Sequence, residues 1–550
     1  MTEQRSTTSI DAAAAVSAAP ETENESAGTT RDRTRWTNTR VWFVAFALAS
    51  VLGGLWAFMS PMMTSPDEPS QTVRSIAVVR GERGDEQAIM QSDESVQNVV
   101  VTRVQVPRAY ADLELSTSCI TFKPLQSANC IPPMGDDMTP ALAATYVGRY
   151  PPLYHLIVGV PSLVLAPASA LVSMRVLSAI LSAVFIGIAV VAARELDRRR
   201  LVIVALAVCI TPEVVFLSAS INPSGLEMAS GIALWLTTTV LVRSSGRPDR
   251  GAVARFALTA AVFTWTRPLS PAYLVVIVVA VWFLFGSRLK ARDLLAKGPF
   301  RVGFGVAAVA WLGSMAWLLS TKSFSAVAGY PRTSATNAEL LHDSLNLLPA
   351  QSRQLIAVFG WLDTDLTPWA IALAFVGLGV IIALGLVLGR NRERAGIILI
   401  GVGSIGFTLV AEVNGARMVG MGWQGRYSFA LIVGAPLMAA VVADASPRLS
   451  MRVTRAFAVV AIACVGLIQL VAAFTEVRRY AVGIDHPLLS YLSDAAWSPV
   501  GNHLWLFTGT CLAVAAISIG WLGLVRGSTL AASPRASAPE EIIEVPDLLA

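Results

Sequence analysis

The stretch VWFVAFALASVLGGLWAFMS (residues 41–60), followed closely by SPDEP (65–69), decides how the chain is organised. The first stretch is apolar and matches the roughly 20 residues that a helix needs to cross a bilayer. Pro66 and Pro69 frame the acids Asp67 and Glu68. Because proline fixes φ and biases the residue before it toward extended backbone, we expect the acids on a stiff turn at the membrane face. They are either a catalytic base or cation anchor, or simply the polar start of a loop.

The composition is that of a membrane protein. Of the 550 residues, 54% are hydrophobic and 14% are charged, whereas a soluble domain carries about 25% charged residues. Further apolar runs follow the first, so we predict an all-α polytopic membrane protein with about twelve transmembrane helices. The further runs are residues 170–193, 201–219, 225–243, 252–266, 272–286, 302–319, 367–389, 396–411, 428–444, 455–474 and 503–525.

The distribution of basic residues predicts the topology. The run 153–166 is short and interrupted by Pro161. If it does not cross and the N-terminus is cytosolic, the inner loops carry most of the Lys and Arg, as the positive-inside rule requires. We therefore predict that 153–166 is a re-entrant or interfacial helix on the outer face. The same clustering in short loops argues against a nucleic-acid partner.

This topology divides the chain into a membrane domain and two tails. The membrane domain is residues 41–525, with two long outer loops at about 61–152 and 320–366. The first loop is too long for a simple connector, so we expect a small folded or membrane-lying subdomain. Residues 1–40 and 526–550 are polar, lack apolar periodicity, and are predicted to be disordered cytosolic tails.

The unusual polar residues gather on the outer face in this topology. Chance would scatter them over both faces, and ionisable groups near membrane depth mark a functional site or cavity by default. The candidate residues are Asp67, Glu68, Tyr154, Arg175, Asn222, Glu227, Arg267, Gln424, Arg426 and Tyr427.

Several of these residues keep a structural interpretation. Asn222 before Pro223 is typical of a helix cap, and Arg267 at a span end is equally typical of a lipid anchor. Arg175 is either a phosphate contact or an interfacial anchor, and Glu213 is either a structural hydrogen-bonding group or a residue that supports the site.

The segment Gly422 to Tyr427 is more specific. Its glycines let the backbone approach a ligand closely, and it offers an amide in Gln424, a planar cation in Arg426 and an aromatic ring in Tyr427. An arginine fork suits a phosphate or pyrophosphate. We therefore predict a ligand role for this segment.

Other motifs give weaker signals. Cys119 and Cys130 share the first long loop; if that loop lies outside the cytosol, they are either joined by a disulfide or free thiols, and the sequence leaves both open. The sequence GVGSIG (401–406) matches a dinucleotide-binding pattern, but it lies in an apolar run with no preceding strand, so it predicts helix packing. The four histidines are too dispersed for a metal-ligand pattern.

Five motifs carry a family resemblance over residues 40–525. They are PDEP (66–69), YPPLY (150–154), NPSGLE (222–227), RPL (267–269) and QGRY (424–427). In this order they resemble an uncharacterised, DUF-type family of bacterial multipass membrane proteins. That family is similar in layout to the GT-C glycosyltransferases, which use polyprenyl-phosphate-linked sugars as donors.

The resemblance implies a chemistry and a location. In GT-C enzymes an acid in the first outer loop is the catalytic base or helps to hold a metal, so Asp67 takes that role here with Glu68 as its partner. A possible divalent cation is the one cofactor implied. Arg426, Arg267 and Arg175 would receive the leaving phosphate. The implied partners are a polyprenyl-phosphate-linked sugar, a cell-envelope glycan or lipid acceptor, and the lipids of the bacterial plasma membrane.

Two other functions stay open from the sequence. A transporter or flippase of lipid-linked sugars should show polar residues near the middle of the membrane and often an inverted repeat, whereas the unusual residues here cluster at one end. A non-catalytic envelope-assembly protein could keep the fold without the chemistry, because a fold shared with enzymes does not prove activity.

Overall fold

A computed structural model describes residues 37–84, 87–91, 98–196, 199–244, 249–325, 334–487, 490–499 and 503–527. The first helix begins at Asn38 and the last ends at Gly527. The predicted tails, 1–40 and 526–550, therefore lie almost wholly outside the described residues.

The described chain is mainly helical. Its α-helices, in chain order, are α1 (Asn38–Trp56), α2 (Glu68–Val79), α3 (Leu113–Ser116), α4 (Leu153–Val158), α5 (Pro167–Glu195), α6 (Arg200–Cys209), α7 (Pro212–Ser218), α8 (Pro223–Arg243), α9 (Arg250–Thr264), α10 (Ser270–Phe285), α11 (Arg288–Leu295), α12 (Gly298–Ser320), α13 (Asn337–Arg353), α14 (Pro368–Leu388), α15 (Asn391–Val419), α16 (Gly425–Ile432), α17 (Gly434–Ala445), α18 (Met451–Ala481), α19 (Ser490–Ser493) and α20 (His503–Gly527).

Nine helical segments in the described ranges are long and apolar enough to cross a membrane, with α16 and α17 counted as one. The pair α6 and α7 adds a tenth if it is one span bent by 57°. The bend falls where Pro212 begins α7 and has no backbone N–H to continue the ladder of α6. The chain is therefore a multipass helical membrane protein.

Two further helices fall on predicted spans but are short: α9 has 15 residues and α10 has 16, against the roughly 20 that cross hydrocarbon. The predicted count of about twelve spans is therefore not confirmed in the described residues. The run 153–166 forms only the six-residue α4 and a 3-10 turn at Val160–Leu163, which are too short to cross.

The first long loop contains a small sheet. Its strands β1 (Gln87–Gln91), β2 (Asn98–Pro107) and β3 (Pro140–Thr145) are antiparallel in the order β1-β2-β3. Helix α2 packs against β2 and β3, and buried Val104, Val106 and Ala143 join the main apolar core. Strands β4 (Val358–Phe359) and β5 (Thr364–Asp365) pair in the second long loop.

The helices surround α8, which is almost wholly buried. Helix α1 packs on α5, α5 packs on α8, and α8 contacts α7, α9, α10 and α16. The two long loops cover one end of this bundle, which we call the loop end. The opposite end carries an ion pair between Arg255 and Glu195. Every group discussed below lies toward the loop end.

A disulfide joins Cys119 and Cys130 in the first long loop. Arg479, near the end of α18, donates hydrogen bonds to the carbonyls of Ile120, Lys123 and Gln126 at 3.1, 3.0 and 2.7 Å. It also pairs with Asp363 at 3.2 Å. The bridged loop is thus tied to a long helix and to the second long loop.

The predicted packing role of GVGSIG is not found among the described residues. The segment lies in α15, but a Cβ added at Gly401, Gly403 or Gly406 would meet no atom of another described segment within 4 Å. These glycines therefore make no close helix contact with the part of the chain that the structure describes.

Candidate functional site

Asp67 stands at the N-cap of α2 in a left-handed backbone conformation, with φ of 64°. Asp is among the few residues other than glycine that visit this region, because its short polar side chain can bond locally. The turn is fixed from outside, since the Asn222 amide donates to the Pro66 carbonyl at 2.8 Å. The predicted turn is present at Asp67, and Asn222 holds it, but Glu68 is already the first residue of α2 and not part of the turn.

The Asp67 carboxylate sits at the edge of a buried cationic group. Arg426 Nη2 donates to its Oδ2, Tyr146 OH donates to Oδ1 at 3.0 Å, and Tyr427 OH lies 3.5 Å from Oδ2. The Asp67 side chain is 19% exposed, against 1% for Arg426. Asp67 is therefore the more accessible member of this pair.

Glu68 points the other way and is fully buried. Its oxygens accept from Arg175 Nε and Nη2, both at 2.6 Å. They also accept the backbone N–H groups of Ile221 at 3.1 Å and Ser65 at 3.3 Å. This saturated carboxylate cannot meet a substrate, so the predicted role as catalytic partner of Asp67 is not supported. Glu68 instead joins α2, α5 and the end of α7.

Arg175 is equally occupied. It also donates to the carbonyls of Ala57, Ser60 and Pro61 at 3.2, 2.9 and 2.7 Å, and it is 1% exposed. With its donors used at the end of α1, it has none left for a leaving phosphate. Arg175 is therefore neither a phosphate contact nor an interfacial anchor, the two interpretations made from the sequence. It forms an internal structural pair with Glu68.

A second buried ion pair lies beside the first. Glu227 accepts from Arg267 Nη1 at 3.1 Å and from Ser270 Oγ at 2.6 Å. The Arg267 guanidinium lies over the Tyr427 ring at 4.2 Å and faces the Tyr150 ring at 5.9 Å. Arg426 also faces Tyr427, at 5.1 Å. Tyr427 therefore separates two guanidinium groups, each with its own carboxylate.

The two arginines keep unused donors among the described residues. Arg426 Nε and Nη1 and Arg267 Nε are buried without hydrogen-bond partners. Gln424 Oε1 is also unpartnered. Unmade hydrogen bonds of buried charged groups are costly. The arrangement is therefore suited to an anion with several acceptor oxygens.

The remaining candidates have structural contacts. Tyr154 is fully buried, with its hydroxyl 2.9 Å from Ser178 Oγ. Asn222 also caps α8, because its side-chain oxygen accepts from Ser224 N at 2.9 Å. Tyr154 does not reach the Asp67 group, whereas Asn222 supports it. Tyr146 was missed, because a lone tyrosine in a loop carries no local signal of the acid it will contact.

The described residues contain no group of three or more His, Cys, Asp or Glu side chains placed to hold a metal ion. A divalent cation held there would have at most two such protein ligands, as Mg²⁺ often has when substrate phosphates and water complete its shell.

A buried histidine, His155, packs beside α2. His155 Nδ1 lies 3.0 Å from Ser75 Oγ, and the ring is fully buried. Burial, and then the charge of Arg74, hold the pKa of His155 well below 6.5. Below pH 6.5 the His155 side chain binds a proton in the unfolded chain but not in the folded protein. The free energy of unfolding therefore falls as the pH falls.

We therefore expect lowering the pH from 6.5 to 5 to reduce the free energy of unfolding by about 2 kcal/mol through this residue. His155→Gln should flatten that part of the pH dependence, measured by unfolding in detergent. His342→Gln is the control, since His342 is exposed. An unchanged slope in His155→Gln would contradict the assignment.

The fold and the site define a multipass helical membrane protein with a buried group of charges at one end of its bundle. The chain belongs to the family of predicted membrane proteins DUF2142, whose model matches residues 50–435. This membership confirms the resemblance drawn from the five motifs.

Among solved structures, the chain is similar to ArnT from Cupriavidus metallidurans, both bound to undecaprenyl phosphate and in the apo state. Each comparison has 14% identity and a TM-score of 0.41, and covers 89% or 90% of this chain and 77% of ArnT. No curated protein matches the sequence.

Proposed function

We propose that the protein is a membrane glycosyltransferase that moves a sugar from a polyprenyl-phosphate donor to a cell-envelope acceptor. One observation carries this proposal: the partly exposed Asp67 is held by Arg426, which keeps two buried donors unused. A carboxylate that can accept a proton thus lies beside arginine side chains that can bind a phosphate.

The proposed reaction uses both halves of this arrangement. The acceptor hydroxyl attacks the anomeric carbon, the bond from that carbon to the phosphate oxygen breaks, and Asp67 takes the hydroxyl proton. The leaving phosphate gains negative charge, which the free N–H groups of Arg426 and Arg267 stabilise. Tyr427 and Gln424 border the same space. Asn222 and Glu227 act as positioning residues, because they fix the Asp67 turn and the Arg267 guanidinium.

The lipid carrier and the orientation follow from the same proposal. The donor's polyprenyl chain would lie among the spans with its phosphate at the loop end. The basic loops lie at the opposite end, so we place both termini in the cytosol and the site on the outer face of the bacterial plasma membrane. The two long loops would then cover the acceptor.

The experiment begins with a deletion strain. We expect its lipid extract to accumulate a polyprenyl-phosphate-linked sugar and its envelope to lack one glycan modification, both measured by mass spectrometry. The accumulated lipid is then given, with wild-type envelope acceptor fractions, to the purified full-length protein in vesicles.

A new glycosidic product in these vesicles would support the transferase. Movement of the lipid across the vesicle membrane without consumption would identify a flippase. Neither product nor movement would favour the envelope-assembly function, and both of these results would overturn the proposal.

A further inference from the structure

The second long loop reaches the site through the C-terminal turn of α13. Gln351 lies in that turn and Gln354 ends it. Helix α13 packs against both α15 and α16. Helix α15 precedes the segment Gly422 to Tyr427, and α16 begins within that segment. The end of α13 therefore lies against the backbone that carries Arg426.

A closed set of hydrogen bonds joins α13 to α15 and to this segment. Gln351 Nε2 donates to Glu412 Oε2 at 3.0 Å and to the Trp423 carbonyl at 3.2 Å. Trp423 N donates to the other carboxylate oxygen of Glu412, also at 3.2 Å. Gln351 and Glu412 are 6% and 3% exposed, so the loss of one partner would leave buried polar atoms of the others unpaired, which is costly. Trp423 is thus fixed to both helices.

Gln354 holds the next part of the segment. Its Oε1 accepts the N–H of Gly425 at 2.7 Å. Gly425 is the first residue of α16, and the first N–H groups of a helix have no acceptor within it. The side chain of Gln424, the N-cap residue, makes no capping bond with the described chain. The acceptor for Gly425 therefore comes from another helix.

This contact depends on the absence of a side chain at Gly425. A Cβ there would lie 2.0 Å from the carbonyl oxygen of Gln351 and 2.9 Å from the Cβ of Gln354. Because the first of these is a backbone atom, a larger residue would have to separate α13 from α16. The backbone of Arg426, the next residue, is therefore tied closely to α13.

The same contacts reach the second cation of the site. Trp423 packs edge-on against the Tyr427 ring, with centroids 5.6 Å apart. Its indole N–H donates to Ser428 Oγ at 2.8 Å. Tyr427 lies against the guanidinium groups of both Arg267 and Arg426. A displacement of Trp423 would therefore disturb both arginines.

We propose that Gln351 and Gln354 are positioning residues for Arg426. By holding the backbone that leads into Arg426, they place its guanidinium against Asp67 and leave Nε and Nη1 without partners among the described residues. The second long loop thus determines how these donors are presented to a phosphate. The inference rests on the proposed function for the identity of the ligand, whereas the hydrogen bond to Gly425 does not depend on it.

The first test compares Gln354→Met with Gln354→Glu in the full-length protein in lipid nanodiscs. Methionine keeps the length of the side chain but cannot accept the Gly425 N–H, whereas glutamate keeps an acceptor. Hydrogen–deuterium exchange is followed by mass spectrometry on the peptide that contains Gly425. We expect one amide of this peptide to exchange about fivefold to tenfold faster in Gln354→Met. Gln354→Glu should keep the wild-type rate.

The second test measures binding of a polyprenyl phosphate without a sugar, added as the probe to the same nanodiscs. We expect the Kd to rise about fivefold to tenfold in Gln354→Met, the factor that corresponds to one net hydrogen bond. Gly425→Ala, which separates α13 from α16, should raise the Kd by at least the same factor. It keeps the proposal testable should Gln354→Met not fold.

Gln87→Met is the matched control. Gln87 is also half-buried, and the substitution removes its hydrogen bond to Thr102 in the sheet of the first long loop, 2.7 Å long in the wild type. Neither the exchange of the Gly425 peptide nor the Kd should change.

Three results would overturn the positioning role: wild-type exchange at Gly425 in Gln354→Met, wild-type affinity in both Gln354→Met and Gly425→Ala, or an equal effect of Gln87→Met. A wild-type protein that does not bind the polyprenyl phosphate would instead remove the proposed function. The exchange measurement would then still decide whether Gln354 holds the backbone before Arg426.

Discussion

Asp67→Asn is expected to lower the rate of sugar transfer by a factor of about 10² to 10⁴, the usual contribution of a general base. Asparagine has the shape of aspartate and tolerates the same left-handed backbone, so the turn and the contact with Tyr146 should survive. What is lost is the ability to accept the acceptor's proton. Transfer is measured with the purified full-length protein in vesicles and, in cells, by complementation of the deletion strain.

Asp137→Asn is the matched control for this variant. Asp137 also pairs with an arginine of the first long loop, Arg108. Both side chains of that pair are about half exposed, and the pair is distant from Asp67 in the sequence. This variant should transfer sugar at the wild-type rate. An Asp67→Asn protein that restores the envelope glycan fully would show that Asp67 is not the base.

Glu68→Ala is expected to reduce the free energy of unfolding by about 3–5 kcal/mol, the cost of breaking a buried ion pair on one side. Arg175 would be left buried with its charge uncompensated, and the backbone N–H groups of Ile221 and Ser65 would lose their acceptor. The measurement is unfolding in detergent, followed by circular dichroism.

Two further sets of variants distinguish the loss of the buried ion pair from the general cost of removing a charged side chain. Asp365→Asn removes one partner of an exposed pair, in which Arg353 and Asp365 are 45% and 54% exposed, and should cost about 1 kcal/mol or less. The double variant Glu68→Leu with Arg175→Met removes both charges and should recover part of the stability. If Glu68→Ala costs no more than Asp365→Asn, the structural role given to Glu68 is wrong.

Much of the architecture could be predicted because hydrocarbon imposes a simple length rule on apolar helices. The rule leaves α9 and α10 undecided, because nothing in their apolar runs separates a short helix from a full span. The turn at Asp67 could be predicted from its two prolines. The disulfide between Cys119 and Cys130 is present, although the sequence established only that both lie in one loop.

The pairings within the site could not be predicted. Asp67 and Glu68 are adjacent and chemically alike, yet the start of α2 between them turns one toward Arg426 and the other toward Arg175. Which arginine meets which acid depends on how distant helices pack, and no local pattern records that packing. For the same reason Arg175 resembled a phosphate contact in the sequence and is a saturated structural residue in the fold.

The ion pair between Asp67 and Arg426 can form only late in the synthesis of the protein. Its partners are 359 residues apart in the chain, which corresponds to roughly 20 to 70 s of synthesis at usual translation rates. During that interval the newly inserted first helix carries an acid whose cation has not yet been made. The pair is therefore among the last contacts of the protein to form, and a ribosome that stalls before the last three spans leaves a membrane-inserted chain in which Asp67 has no Arg426 to bind.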